Sequence, residues 1–281
     1  MNTTAQTKIE TLKVPGATLY YEVRGSGPVL LMMPGGPADA GAFRTIGGNL
    51  ASQYTVVTYD PRGLPRSKLE SPLDEKHIVQ VFADDVHRLL AAVTRDKASI
   101  FASSGGAVIG LELAVRHPEQ LDTLVSHEPP SPTLQPDGAH VRAAMEDVAE
   151  TYSTAGIMPA VEKFTALIGG GPPPAPPSDA TPEVLEEMAR MGSNMDLFFG
   201  PYMVAIARYE PDFAALKSGS CRIVAAVGEE SRGELAHDGG LALAKRLGTQ
   251  AVVFPGDHGG FGSHAVEFAV KLREVLEGSR R

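Results

Sequence analysis

Short runs of apolar residues recur along the chain and alternate with stretches of helical period. Pro28 to Met33 (PVLLMM) is continuously apolar, as a strand buried on both faces requires. Thr55 to Tyr59, Ala98 to Ser103 and Leu121 to Ser126 repeat the pattern, and Arg222 to Val227 and Ala251 to Phe254 close the series. Ile78, Val81, Phe82, Val86, Leu89, Leu90 and Val93 recur at helical spacing. Ala265, Phe268, Ala269, Leu272, Val275 and Leu276 do the same near the C-terminus. Residues 7–24 read as a hairpin around Pro15-Gly16. Strands alternating with helices predict βαβ units and a mainly parallel sheet flanked by helices.

The alternation fails between about 130 and 220, where helical patterns continue without a strand. Eleven of the 22 prolines lie between 129 and 182, and Gly169 to Pro177 (GGGPPPAPP) reads as an exposed, semi-rigid loop. The expected organisation is an α/β core from 1–130 and 219–281, with 131–218 inserted as a helical cap. That insertion accounts for a length of 281 residues, long for one ordinary domain and short for two.

Composition narrows the function. Hydrophobic residues make up 43% and charged residues 21%, close to the globular norm, so a sizeable core is available. The single Cys221 excludes a disulfide framework and a multi-cysteine metal cluster. The net charge of −9 disfavours nucleic acid as a partner. No apolar run approaches the roughly 18 residues of a membrane span, and Met1 to Thr11 lacks an apolar signal core. The expectation is a cytoplasmic protein with a small-molecule substrate, no membrane partner and no metal or cofactor. A homodimer stays open.

Four local patterns carry chemistry. The strand Ala98–Ser103 runs through Ala102-Ser103-Ser104-Gly105-Gly106 into a helical pattern, close to the G-x-S-x-G elbow that lifts a nucleophilic serine out of a strand–helix turn. Centring the elbow on Ser103 would put Phe101 at a position that must be small, so Ser104 is the candidate nucleophile. After the last strand, Pro255-Gly256-Asp257-His258-Gly259-Gly260 sets His258 in a glycine-rich loop, where a general base is needed. Pro34-Gly35-Gly36-Pro37 offers an oxyanion loop. Pro37 has no N–H, so Gly36 and Gly105 are the expected donors. Asp60-Pro61-Arg62-Gly63 follows the next strand and reads as structural, ordering its neighbouring loops.

In this order the patterns strongly resemble the α/β-hydrolase fold superfamily, over almost the whole chain. The resemblance implies an α/β-hydrolase fold and a serine hydrolase with the chain order Ser, acid, His. Two positions compete for the acid. Glu230 follows the strand Arg222–Val227, the usual place, beside Glu229. Glu128 follows the strand Leu121–Ser126, and His127-Glu128-Pro129-Pro130 resembles the acid-bearing stretch of zearalenone-type lactonases. Glu128 is favoured and Glu230 is the alternative. The serine at 104 disfavours the haloalkane dehalogenase and epoxide hydrolase chemistry of this superfamily, which uses an aspartate there.

Six of the nine methionines fall in 141–203, interleaved with aromatics. Met191, Met195, Phe198, Phe199 and Tyr202 are the expected substrate-binding side chains, since such surfaces suit adaptable apolar pockets. The expected activity is cleavage of a carboxylic ester or lactone through an acyl-enzyme, with a zearalenone-like lactonase as a sub-case. The resemblance leaves aminopeptidase and peroxide-dependent chemistry as lesser enzymatic options. A small-molecule receptor on a hydrolase fold, with weak or no turnover, is the alternative from another class.

Overall fold

A computed structural model describes residues 6–135, 137–169 and 180–278. The hairpin is present as β1 (Lys8–Val14) and β2 (Ala17–Gly25), turning at Pro15-Gly16. The apolar runs form β3 (Val29–Met33), β4 (Thr55–Tyr59), β6 (Ala98–Ser103), β7 (Leu121–His127), β8 (Arg222–Gly228) and β9 (Val252–Phe254), with a two-residue β5 (Lys68–Leu69) beside β2. The strand order is β1-β2-β4-β3-β6-β7-β8-β9. Every pairing from β4–β3 to β8–β9 is parallel, and those of β2 are antiparallel.

Continuous apolar strands follow from a sheet covered on both faces. In β3, Leu31 and Met33 face one core while Leu30 and Met32 face the other. The first core is completed by α2 (Ile78–Val93) and α3 (Gly105–Arg116), and the second by α1 (Arg44–Leu50) and α11 (Ala265–Glu277). α9 (Leu235–Leu247) joins the first core through Leu243 and Ala244. α10 (Gly260–Ser263) leads into α11. No helix among the described residues is long and apolar enough to cross a membrane.

Between β7 and β8 the described residues form helices and no strand: α4 (Gly138–Ala155), α5 (Ile157–Ile168), α6 (Pro182–Leu197), α7 (Met203–Arg208) and α8 (Phe213–Ser218). Most of the glycine–proline tract, residues 170–177, lies outside the described residues. Between α6 and α7 the helical path kinks across Phe198–Tyr202, where Pro201 cannot donate the next backbone hydrogen bond and Gly200 leaves helical geometry.

Candidate active site

The carboxyl ends of the parallel strands form one crevice, the usual place for a ligand in an α/β sheet. β6 ends at Ser103, and α3 begins at Gly105. Ser104 between them has φ 56° and ψ −130°, outside the broad regions open to L-residues. The turn is pinned from β7, because Ser104 N–H donates to the His127 carbonyl at 2.9 Å. Alanine at 102 is accommodated because α3 presents Gly110 opposite it: a Cβ on Gly110 would lie 3.3 Å from that of Ala102. The Ser103 hydroxyl turns to His127 Nδ1, 3.4 Å away. That of Ser104 makes no capping bond to α3 and borders the crevice.

β7 delivers Glu128 to the same crevice with φ 50° and a fully buried side chain. Its Oε2 accepts from His258 Nδ1 at 2.6 Å. Its Oε1 accepts from Gly228 N–H at 2.8 Å and from the Ser231 hydroxyl. Burial alone would raise this carboxyl. The His258 hydrogen bond, the neighbouring His127 and His258 rings and Ser231 outweigh it and draw the pKa down to about 2. An ionised Glu128 fixes the proton on Nδ1 and leaves Nε2 of His258 as the acceptor. Glu230 is exposed, its nearest basic partner being His264 Nε2 at 4.0 Å. The geometry therefore joins His258 to Glu128 and not to Glu230. Ser231 is not among the residues the sequence singles out, although it stands in the same loop as Glu229 and Glu230.

His127, beside Glu128, is wholly buried among Phe101, Phe254, Phe261 and Phe268. Burial lowers its pKa to about 3 despite the attraction of Glu128, so it is neutral. Its Nε2 has no hydrogen-bond partner.

The loop after β3 closes a turn through Ala38 N–H to Gly35 O at 3.2 Å. Gly36 has φ 58° at the first central position. Pro37 follows and is confined to negative φ, so the turn is of type II′, which needs glycine where Gly36 stands. The N–H groups of Gly36 and Gly105 donate to no backbone acceptor among the described residues. Asp60 holds this region from below, accepting from Ala40 N–H at 3.1 Å and from Arg66 at 2.7 Å. Arg62 pairs with the buried Asp85 and with Pro15 O.

Ser104, His258, Gly36 and Gly105 border one cavity of about 270 Å³, near the lower end of the roughly 300–1,000 Å³ typical of ligand pockets. Its roof is apolar: Phe164, Phe198, Tyr202, Met203 and Ile206. Of the side chains expected to bind substrate, Phe198 and Tyr202 line it. Met191, Met195 and Phe199 do not, which corrects the expectation drawn from the methionine and aromatic content of this segment. Phe199 packs behind, against Tyr152, Phe164 and Phe198. Met195 is partly buried against the core, and Met191 faces solvent, 38% exposed. The face that α6 buries is mixed, running through Glu187, Arg190 and Asn194 as well as Met188 and Met195, and it meets the loop after β3 and the core rather than the cavity. Glu234, not anticipated, borders the cavity.

A strained serine turn between strand and helix, a buried carboxylate–imidazole pair and a glycine turn thus share one crevice at the ends of a mainly parallel sheet. The chain belongs to the α/β-hydrolase family. The family model described as alpha/beta hydrolase fold matches residues 28–156. An uncharacterized hydrolase, YraK, of Bacillus subtilis (strain 168) is 37% identical over 279 residues, covering 96% of this chain and 97% of its own. A zearalenone hydrolase of Bionectria ochroleuca is 26% identical, covering 95% of this chain and 97% of its own. Among solved structures, a thermophilic esterase from Thermogutta terrifontis is 20% identical with a TM-score of 0.71, covering 99% of this chain and 100% of its own.

Proposed function

We propose that this hydrolase cleaves a carboxylic ester or lactone of a small, largely apolar substrate through an acyl-enzyme. The observation that carries the reading is the 2.6 Å bond from His258 Nδ1 to buried Glu128, in a crevice shared with Ser104 at its strained elbow. Ser104 Oγ attacks the carbonyl carbon while His258 Nε2 takes its proton. The oxyanion accepts hydrogen bonds from Gly36 and Gly105 N–H. Collapse of the tetrahedral species breaks the bond to the leaving oxygen, which takes the proton from His258. Water, deprotonated by His258, then attacks the acyl-enzyme, and Ser104 recovers its proton. Glu128 holds the imidazole tautomer and stabilises the imidazolium. The helices from 131–218 act as a cap, whose Phe198 and Tyr202 receive the apolar part of the substrate and exclude water.

A lactone is the second reading, favoured by the end-to-end likeness to a zearalenone hydrolase. The test is turnover of p-nitrophenyl esters of graded chain length and of small and macrocyclic lactones, with Ser104→Ala as the blank. Short esters or small lactones should turn over, and Ser104→Ala should lose about 10⁴-fold or more. Undiminished turnover in that variant would sink the proposal.

A further inference from the structure

α6 buries a mixed face, in which two polar side chains lie beside the partly buried Met188, Met195 and Leu197. Val184, Leu185 and Met191 are exposed, whereas Arg190 is mostly buried and Asn194 is 1% exposed. Helices ordinarily bury their apolar stripe, so the two inward polar side chains need a binding partner. That partner is the loop after β3. Asn194 Nδ2 donates to Pro37 O at 2.7 Å, and Asn194 Oδ1 has no partner. A buried amide is costly unless bonded, and the contact to Pro37 is the polar engagement this side chain has. One turn earlier, Arg190 Nε donates to Asp39 Oδ2 at 2.6 Å. Asp39 in turn accepts from Gly41 N–H at 2.8 Å and lies 3.4 Å from Arg66, which is paired with Asp60. Pro37 and Asp39 thus tie the Gly36 turn to α6. The turn's own contribution is the single Ala38–Gly35 bond.

We propose that Asn194 and Arg190 are positioning residues that hold the Gly36 turn in its donor geometry, so that the inserted helix builds part of the oxyanion site as well as covering it. The role rests on the reading of Gly36 as an oxyanion donor. Reaction geometry is sensitive on this scale, since a shift of about 1 Å in a positioned group costs up to about 100-fold in rate.

The test uses the full chain with Asn194→Ala, Asn194→Asp and Arg190→Lys. Asn194→Asp keeps the shape but removes the N–H donor, and Arg190→Lys keeps the charge if an Asn194 variant fails to fold. Hydrogen exchange of the 34–41 amides and steady-state kinetics on a short p-nitrophenyl ester are the readouts. Exchange at 34–41 should quicken while α6 stays protected. The kcat should fall about 10- to 100-fold with KM within about twofold. Wild-type exchange at 34–41 in Asn194→Asp overturns the proposal, as does faster exchange with unchanged kcat. The Ser104→Ala blank separates the two readings: if it retains turnover, the serine mechanism fails, while the exchange result still decides the anchoring.

Discussion

Ser104 and Glu128 are the non-glycine residues with positive φ among those described, at 56° and 50°. Each such residue costs of order 1–3 kcal/mol and persists where its surroundings over-determine it. Both stand at the carboxyl ends of adjacent central strands, and both are pinned by backbone bonds: Ser104 N–H to His127 O and Glu128 N–H to Ala226 O. If Glu128 orients His258, Glu128→Gln should lower kcat by about 10⁴-fold on an ester and Glu230→Gln should leave it nearly unchanged. Large loss in the second variant alone would reverse the assignment. Ser104 and His258 were legible because each lies in a short motif whose chemistry is local. The choice between Glu128 and Glu230 was not, because both follow strand ends. Reach to His258 depends on how β7, β8 and β9 lie side by side.

At the scale of elements, the apolar strands were readable and two helices were not. α1 and α9 carry Gly47-Gly48 and Gly239-Gly240, which depress helix propensity and interrupt the apolar stripe. In α9 those glycines answer to packing. A Cβ on Gly239 would lie 2.0 Å from Pro129 O, in the loop just after Glu128. Gly239→Ala should therefore destabilise the fold by about 1–3 kcal/mol and disturb Glu128. A lowered thermal midpoint together with reduced ester turnover is expected, and an unchanged midpoint would refute the contact. α6 was legible as a helix but not in its orientation. The helical patterns between about 130 and 220 do not say which face packs inward, and the positions of Asp39 and Pro37 decide that Arg190 and Asn194 face the loop.

Across the whole molecule, burial makes stability depend on pH. His127 is held near 3 against an ordinary value of 6.5. Between those values the unfolded chain binds a proton that the folded one excludes, so stability falls as pH drops from about 6.5 toward 3. Glu128, drawn to about 2 from 4.5, acts in the same sense: its contribution is complete above about 4.5 and is lost as pH falls toward 2. His127→Phe should flatten the limb between 6.5 and 3; near pH 7 it loses only the 3.4 Å contact of Nδ1 with the Ser103 hydroxyl, since Nε2 has no partner. Urea midpoints measured at pH 7 and pH 4 for both proteins check this. An equal drop in the two would exclude His127 as the source.

The sequence by itself determined the strand–helix alternation, the elbow at Ser104, the glycine-rich turn at Gly36 and the late loop at His258. These are set by nearest-neighbour chemistry: side-chain periodicity, backbone strain that small residues tolerate, and the missing N–H of proline. Tertiary structure decided the pairings between distant residues: Glu128 with His258, Ser231 behind Glu128, and Asn194 on Pro37. The physical reason is that a hydrogen bond across 130 residues of chain is fixed by strand order and helix docking, which no local pattern encodes.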